Sequence, residues 1–337
     1  MAETEPKVGI SIDLEADGKQ FGHLSVPHSR DESGWGALHL PIVSIKNGEG
    51  PTLALTGGNH GDEYEGPIAL LKLVRALEPS QVSGRVIVIP ALNYPAVMGG
   101  TRVSPIDGVN MNRAYPGQRD GSVTQMIAHF VQQKILAVCD ALFDIHSGGK
   151  TMFFSPFACY HRLPDAAQTQ RAREAVAAMA APISLELVEL DAEGMIDTAV
   201  EDMGKLFVGA ELGGGGTTTT ETVTIAETAI RNLLAHLGVI DETPVSRSAR
   251  GLPPSREMHM PDPGCYLISD DAGLYEALVD LEAEVREGDP VGQIHFPERP
   301  ERAPVVYRAG TSGTVIGRSH KVLVGPGDFL ALIAHDR

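Results

Sequence analysis

Residues 57–63, which have the sequence GGNHGDE, place a histidine and a glutamate three positions apart. At the start of a helix, this spacing lets the side chains of His60 and Glu63 face one point. An imidazole and a carboxylate are a usual ligand pair for Zn²⁺, and the glycines allow a sharp backbone turn. The alternative interpretation is that Asp62 caps the helix and that His60 is an ordinary loop residue.

Residues 144–149, with the sequence DIHSGG, place a second histidine at the end of an apolar segment. His146 lies where ligands gather in open α/β sheets, at the end of a strand. Asp144, two positions earlier on the same strand face, could accept a proton from this imidazole and fix its tautomer. Taken alone, His146 could be a hydrogen-bonded core histidine. Together with His60 and Glu63, it completes the open three-ligand pattern of catalytic zinc.

Two further features suggest groups that could act on a substrate. Glu211 ends the apolar segment LFVGA. A carboxylate is costly to bury there, so we interpret Glu211 as a general base beside a metal, the alternative being a partly exposed edge carboxylate. The Gly- and Pro-rich loop of residues 93–122 contains Arg102, Asn112 and Arg113, which are suited to binding a carboxylate. The alternative for a loop arginine is a solvated surface charge.

Apolar strand-like segments alternate with amphipathic segments in the region that contains these motifs. This alternation predicts an α/β sheet that is covered by helices on both faces. The segments predicted to be strands are PTLALTGG, RVIVIPAL, ALFDIHS and LFVGAE. The segments predicted to be helices are residues 62–77, 124–136, 167–180 and 221–237.

Changes in composition and in the pattern of apolar residues divide the chain into three parts. We predict a leading β segment over residues 1–48, an α/β domain with the zinc-hydrolase motifs over residues 49–245 and a β-rich, barrel-sandwich-like domain over residues 264–337. The Pro- and Ser-rich residues 243–263 are interpreted as a linker. The pattern VREGDPVGQI in the tail is similar to a turn of lipoyl- and biotinyl-type barrel-sandwich modules. It lacks their attachment lysine, which argues against a carrier role.

Composition limits the possible partners and location. The chain has 337 residues and a formal net charge of −17, and 42% of its residues are hydrophobic, enough for a sizeable core. An acidic surface repels nucleic acid and anionic membranes, so we expect neither as a partner. No apolar signal segment, membrane-length apolar run or CxxC pair occurs, which favours a cytoplasmic protein without a disulfide framework. The acidic surface fits either an ordinary cytoplasmic enzyme or one from a salt-tolerant cell.

The ordered motifs GGNHGDE, NYPA, NMNRAYPG, DIHSGG and AELGGGG resemble those of the succinylglutamate desuccinylase/aspartoacylase family. The catalytic core of that family is similar to that of the zinc carboxypeptidases. The resemblance covers about residues 50–240 and the β-rich tail. It implies an α/β fold with a carboxypeptidase-like mixed sheet flanked by helices, a smaller C-terminal all-β domain and one zinc ion per chain.

The resemblance also implies a role for every candidate residue. The residues that match the zinc ligands are His60, Glu63 and His146. Glu211 matches the general base, and Arg102 matches the arginine that polarises the scissile carbonyl group. Asn112 and Arg113 match the pair that grips the substrate carboxylate. The family motif Asp-Leu-Asn-Arg is replaced here by Asn-Met-Asn-Arg over residues 110–113, so the internal support of this loop must differ.

The activity implied by the resemblance is hydrolysis of the amide of a small N-acyl amino acid, with deacetylation favoured. The alternatives are desuccinylase, aspartoacylase or carboxypeptidase activity and, in another class, a non-catalytic metal-dependent binding protein on the same scaffold. The presence of Glu211 beside the ligand set argues against the last. The sequence leaves open the acyl group, the amino-acid side chain, the choice between zinc and another divalent metal, and homo-oligomer formation.

Overall fold

The computed structural model describes residues 5–337. The strands are β1 (Gly9–Ile10), β2 (Gly18–Pro27), β3 (Ala37–Asn47), β4 (Thr52–Gly57), β5 (Gly84–Ile89), β6 (Ala141–His146), β7 (Met152–Phe154), β8 (Phe157–His161), β9 (Ile183–Leu187), β10 (Leu206–Glu211), β11 (Arg256–His259), β12 (Tyr266–Ile268), β13 (Gly273–Ala277), β14 (Glu284–Val285), β15 (Pro290–His295), β16 (Val305–Arg308), β17 (Gly313–Ser319), β18 (Leu323–Val324) and β19 (Phe329–Asp336). The α-helices are α1 (Glu65–Ala76), α2 (Tyr94–Gly99), α3 (Val123–Phe130), α4 (Ala166–Met179), α5 (Ile196–Glu201) and α6 (Thr220–His236).

One large mixed sheet runs through the molecule. Its strand order is β1-β2-β3-β5-β4-β6-β10-β8-β9-β11-β19-β17-β14, with β12 paired to β19 and β7 paired to β17. A second, antiparallel sheet has the order β16-β15-β13-β18. The prediction of a mixed α/β sheet with an additional β structure in the C-terminal region is confirmed.

The centre of the large sheet is a parallel block of β5, β4, β6 and β10. These strands are buried along nearly their whole length, as the apolar segments predicted. Helices α1, α4 and α6 cover one face, and α3 and α5 cover the other. Because parallel strands point the same way, β4, β6 and β10 bring their carboxyl ends to one edge of the sheet.

The predicted linker contains strand β11. This strand pairs in parallel with β9 and antiparallel with β19, so it joins the tail to the large sheet by main-chain hydrogen bonds. At the other end of the chain, β3 pairs with β5 and extends the same sheet. Short polar sequences give no local signal for such a strand, because the partner strands supply its hydrogen bonds. The three domain boundaries stay a prediction.

The composition led us to expect no membrane-length apolar helix and no disulfide framework. Among residues 5–337, none of the helices combines the length and the apolar character that a membrane span requires. Cys139, Cys159 and Cys265 are all buried and free.

Candidate active site

The candidate site lies where three neighbouring parallel strands end. Strand β6 ends at His146 and β10 ends at Glu211, and these two residues are partners in the strand register. The register between β4 and β6 pairs Gly57 with Ile145, so the loop that follows Gly57 leaves the sheet beside His146. Chain segments far apart in sequence therefore meet at this edge.

The three predicted metal ligands form a compact cluster. Nδ1 of His60 is 2.8 Å from Oε1 of Glu63, and Nδ1 of His146 is 2.9 Å from Oε2 of the same carboxylate. One ligand atom from each residue lies within 4.8 Å of the others. The Glu63 side chain is 2% exposed, so bulk water does not compensate its charge. The cluster could hold a metal ion.

The outer nitrogens of both imidazoles face oxygen acceptors. Nε2 of His146 is 2.7 Å from Oδ2 of Asp144, and Nε2 of His60 is 3.1 Å from Oδ1 of Asn110. An Nε2–H that donates to either oxygen leaves a lone pair on Nδ1, directed at the Glu63 carboxylate. A lone pair and a carboxylate oxygen repel each other unless a cation or a proton lies between them. The donor set therefore fits a divalent cation such as Zn²⁺.

The charges of these groups are strongly interdependent. Burial alone would raise the pKa of Glu63, but the two imidazoles hold it well below its usual range. Burial lowers the pKa of His60, which favours the neutral form that binds a metal. Burial opposes a charge on His146 as well, yet the carboxylates of Asp144 and Glu63 raise its pKa well above the ordinary value. A metal ion at this point would displace the proton of His146.

Glu211 lies beside the metal cluster on β10. Its Oε2 atom is buried and has no hydrogen-bond partner among the described residues. Burial, with the negative charge of Glu63 as a second cause, raises the pKa of Glu211 to about 8. A carboxyl group of this kind exchanges its proton near neutral pH, which is what general acid–base chemistry requires.

The loop that follows β5 brings three further candidates to the site. Nη1 of Arg102 is 3.4 Å from Oε1 of Glu63. Asn112 and Arg113 lie in a 3₁₀ turn, Met111–Arg113, and the N–H of Asn112 donates to Oδ1 of Asn110 at 2.9 Å. Asn110, where the family has an aspartate, thus supports the turn and also contacts His60.

A cavity of about 140 Å³ joins the predicted residues into one site. The candidates that line it are His60, Arg102, Asn112, Arg113, His146 and Glu211. Glu63 lies behind them and bridges the two imidazoles. The structure therefore brings together every side chain that the motifs singled out, although their roles stay predictions.

The alternative interpretation of the first motif, in which Asp62 caps the helix, is wrong. The N-cap residue of the helix is Tyr64, which makes no side-chain cap hydrogen bond. Oδ2 of Asp62 instead accepts from the N–H of Lys150 at 2.8 Å. This contact ties the loop after β4 to the loop after β6.

Sequence reasoning missed two groups of residues in the site. Thr56 and Asn59 both donate to Asp144, at 2.6 and 2.8 Å, and so orient the carboxylate that contacts His146. Position 59 lies inside the first motif, which was the available signal. The second group consists of His161, Glu189 and Asp197, which line the cavity away from the metal cluster. No motif contains any of these three.

The chain is similar to known proteins over almost its whole length. Residues 49–237 match the family described as the succinylglutamate desuccinylase/aspartoacylase catalytic domain. An N-alpha-acetyl-L-2,4-diaminobutyric acid deacetylase from Halomonas elongata is 45% identical over 328 residues, which are 97% of this chain and 94% of the relative.

Solved structures extend the similarity to the fold. The product-bound ectoine utilization protein EutE (DoeB) from Ruegeria pomeroyi is 44% identical, with a TM-score of 0.94 over 98% of this chain and 99% of that one. A succinylglutamate desuccinylase from Silicibacter is also 44% identical, with a TM-score of 0.92 over 99% of both chains.

Proposed function

Because this chain belongs to the succinylglutamate desuccinylase/aspartoacylase family, we propose that it is a zinc-dependent hydrolase that deacetylates N-alpha-acetyl-L-2,4-diaminobutyrate. One observation carries the proposal: the Nδ1 atoms of two histidines converge on Glu63 in a cavity that also holds Glu211. The names of the Halomonas and Ruegeria relatives support the substrate and a place in ectoine degradation. The free, buried cysteines support a cytoplasmic location.

The proposed ligands of the zinc ion are His60, Glu63 and His146. Bound there, zinc supplies Lewis acidity toward water and toward the acyl carbonyl group. Glu211 accepts a proton from the attacking water and then donates a proton to the departing α-amine, as the C–N bond breaks. The products are acetate and 2,4-diaminobutyrate.

The loop residues orient the substrate. Arg102 donates hydrogen bonds to the acyl oxygen as negative charge develops on it. The amide N–H groups of Asn112 and the guanidinium of Arg113 bind the α-carboxylate, which fixes the position of the scissile amide. Since Oδ1 of Asn112 is occupied by the N–H of Ile196 at 3.1 Å, its Nδ2 is the group available for substrate.

The proposal is tested by measuring amine release from N-acetyl-L-2,4-diaminobutyrate together with zinc content. The wild-type protein should bind about one zinc ion per chain, lose activity with a chelator and regain it with added zinc. His146→Ala should lose most of its zinc and its activity, whereas His236→Ala, an exposed position in α6, should behave like wild type. Full zinc retention in His146→Ala would contradict the ligand assignment.

Substrates that share one amine and differ in the acyl group distinguish deacetylase activity from the desuccinylase and carboxypeptidase alternatives. N-acetyl and N-succinyl derivatives of 2,4-diaminobutyrate are compared with a dipeptide that ends in this amino acid. We expect the highest kcat/KM for the acetyl compound. A preference for the succinyl derivative or for the dipeptide would show desuccinylase or carboxypeptidase activity instead, and no turnover of any compound would favour a binding protein.

A further inference from the structure

The cavity continues from the metal cluster along one face of the sheet. Phe207, Gly209 and Glu211 alternate along β10, so they share a face, and all three line the cavity. A Cβ atom on Gly209 would lie 2.9 Å from Sγ of Cys159, so there is no room for a larger side chain at this point of the cavity wall. Beyond it the wall is formed by His161, whose ring stacks on Phe207 with 6.0 Å between ring centroids.

The wall of the cavity around His161 is acidic. Nδ1 of His161 is 3.0 Å from Oε1 of Glu201, and Nε2 is 3.5 Å from Oε1 of Glu189. Asp197 completes the cluster, with ligand atoms of His161, Glu189 and Asp197 within 4.8 Å of one another. Across residues 5–337, His161 is the one basic side chain that forms an ion pair with Glu189 or Glu201, and Asp197 forms none.

His161 cannot balance the charge of its neighbours. Burial opposes its charged form, but the neighbouring carboxylates of Glu189 and Glu201 raise the pKa of His161 to about 10. One positive charge therefore faces the carboxyl groups of Glu189, Glu201 and Asp197. Asp197 is buried and the two glutamates are partly buried, so an excess of carboxylates over cations is costly here, and a positively charged ligand would offset that cost.

Asp197 supplies an independent sign that a ligand with hydrogen-bond donors belongs here. The residue is only 4% exposed and lines the cavity. Its Oδ1 atom accepts hydrogen bonds from the N–H and the hydroxyl of Thr198. In the part of the chain that the structure describes, its Oδ2 atom has no hydrogen-bond partner. Oδ2 is therefore free to accept a hydrogen bond from a ligand in the cavity, and a donor there would compensate for the burial of this carboxylate.

The segment that holds Asp197 is joined to the loop that contains Asn112 and Arg113. Oδ1 of Asn112 accepts from the N–H of Ile196, the residue before Asp197, at 3.1 Å. The N–H of Tyr115 donates to the carbonyl oxygen of Gly194 at 3.0 Å. The proposed α-carboxylate grip and the acidic wall are therefore held at a fixed separation, as recognition of one amino acid at both ends requires.

We propose that Asp197, assisted by Glu189, binds a primary ammonium group on the side chain of the amino-acid part of the substrate. The proposal rests on the proposed function, because the metal cluster and Asn112–Arg113 define where the scissile amide and the α-carboxylate lie. Under this proposal the acidic wall, formed by Glu189, Asp197 and Glu201, is the subsite that selects a diamino acid. The same wall repels an acidic side chain such as that of glutamate, so the subsite also rejects succinylglutamate-like substrates.

The test compares substrates that differ only in side-chain charge. N-acetyl-L-2,4-diaminobutyrate is paired with N-acetyl-L-norvaline, which has a methyl group in place of the ammonium. Asp197→Asn should lower kcat/KM for the charged substrate by about 10- to 100-fold, mainly through KM, because the desolvated ion pair is lost. Turnover of the norvaline compound should change less than about 3-fold, since no charge is bound there. Glu189→Gln should show the same selectivity with a smaller effect.

Asp202→Asn provides the matched control, because it removes an exposed carboxylate at the end of the same helix. It should leave both substrates unaffected. An equal loss for both substrates in Asp197→Asn, or no loss for either, would overturn the subsite. A loss of zinc confined to Asp197→Asn would identify a second metal site instead and would also overturn it.

Failure of the subsite can be told apart from failure of the proposed function. If wild-type protein hydrolyses no N-acetyl amino acid, the proposed function is wrong. If it hydrolyses both substrates at similar rates, the function stands and the subsite is wrong. Should Asp197→Asn fail to fold, inhibition of the wild type decides: free L-2,4-diaminobutyrate should inhibit at least about 10-fold more strongly than L-norvaline, and equal inhibition would contradict the proposal.

Discussion

Glu63 and Glu211 lie at one site, yet their surroundings move their pKa values in opposite directions. Glu63 faces two imidazoles, which outweigh its burial and keep its carboxylate ionised. Glu211 has no such partner, and burial beside the charge of Glu63 raises its pKa to about 8. Two carboxyl groups that titrate so differently are suited to different tasks, one as a permanent anion and the other as a proton carrier.

Glu211→Gln is expected to separate proton transfer from binding. Glutamine has nearly the same shape but cannot accept a proton from water, so kcat should fall by about 10²–10⁴-fold. Zinc content should stay at the wild-type level, because Glu211 is not among the proposed ligands. Kinetics with the metal measured in the same samples checks this, with Glu227→Gln in α6 as the control. Near wild-type turnover in Glu211→Gln would mean that another group is the base.

Arg113→Ala is expected to weaken substrate binding. Charge-assisted hydrogen bonds are worth about 1.5–3 kcal/mol, so KM should rise by roughly 10- to 100-fold. Arg113→Lys should restore only part of the affinity, since an ammonium cannot reproduce the planar guanidinium fork. Steady-state kinetics on an N-acetyl amino acid measures both effects, and Arg75→Ala on the exposed side of α1 serves as the control. An unchanged KM in Arg113→Ala would exclude it from the carboxylate grip.

At the scale of secondary-structure elements, the metal loop is held by the segment that follows β5. The N–H groups of Leu92 and Asn93 donate to the carbonyl oxygens of Gly57 and Gly58 at 2.9 Å. The N–H of Gly61 donates to the carbonyl oxygen of Thr101 at 3.0 Å. These main-chain bonds join the loops after β4 and β5, so the position of His60 depends on both.

Gly61→Ala is expected to disturb the metal centre without changing any ligand. A Cβ atom at this position would lie 1.9 Å from the carbonyl carbon of Ala96 in α2, so the two loops must separate. Overpacking of this kind costs about 1–3 kcal/mol, and zinc affinity should fall together with the thermal midpoint. Gly34→Ala is the matched control, because nothing lies within 4 Å of its added Cβ. Unchanged zinc affinity in Gly61→Ala would show that the loop adjusts freely.

At the scale of the whole molecule, the β-rich tail (residues 264–337) packs against the region that carries the site and does not line the cavity. All residues that line the cavity lie between positions 60 and 211. The tail contributes through packing, because Phe154 and Phe157 share a buried cluster with Ile316 and Leu332. Strand β17 also pairs with β7, the strand that follows the DIHSGG motif. We therefore expect the tail and the α/β region to be coupled in stability.

Ile316→Ala tests this coupling. The side chain is fully buried, so its truncation should lower the free energy of unfolding by about 2–5 kcal/mol. Unfolding followed by both circular dichroism and zinc release should show one transition, shifted to lower denaturant concentration. Val306→Ala, at a position 38% exposed, is the control and should have little effect. A separate early transition that leaves zinc bound would establish the tail as an independent domain.

The sequence alone determined the central strands, most helices and the proposed ligand set. Each of these has a local cause: apolar strands covered on both faces have nearly continuous apolar sequences, and the two motifs combine glycines with ligand residues at short spacing. The carboxyl ends of parallel strands must meet at one edge of the sheet, so the sequence could predict that His60, His146 and Glu211 lie close together. Strand β11 could not be predicted from the sequence, because it forms through hydrogen bonds with β9 and β19 and its own residues carry no strand pattern.

Only the tertiary structure decided the surroundings of these groups. Asn110 contacts His60 across 50 positions of sequence, and Asp144 is oriented by Thr56 from another strand. The acidic wall is an extreme case, because His161 ends β8, Glu189 follows β9 and Asp197 lies in α5. Isolated carboxylates with no common spacing resemble any solvated surface charge in the sequence. Their chemistry arises only when folding removes them from water and faces them into one cavity.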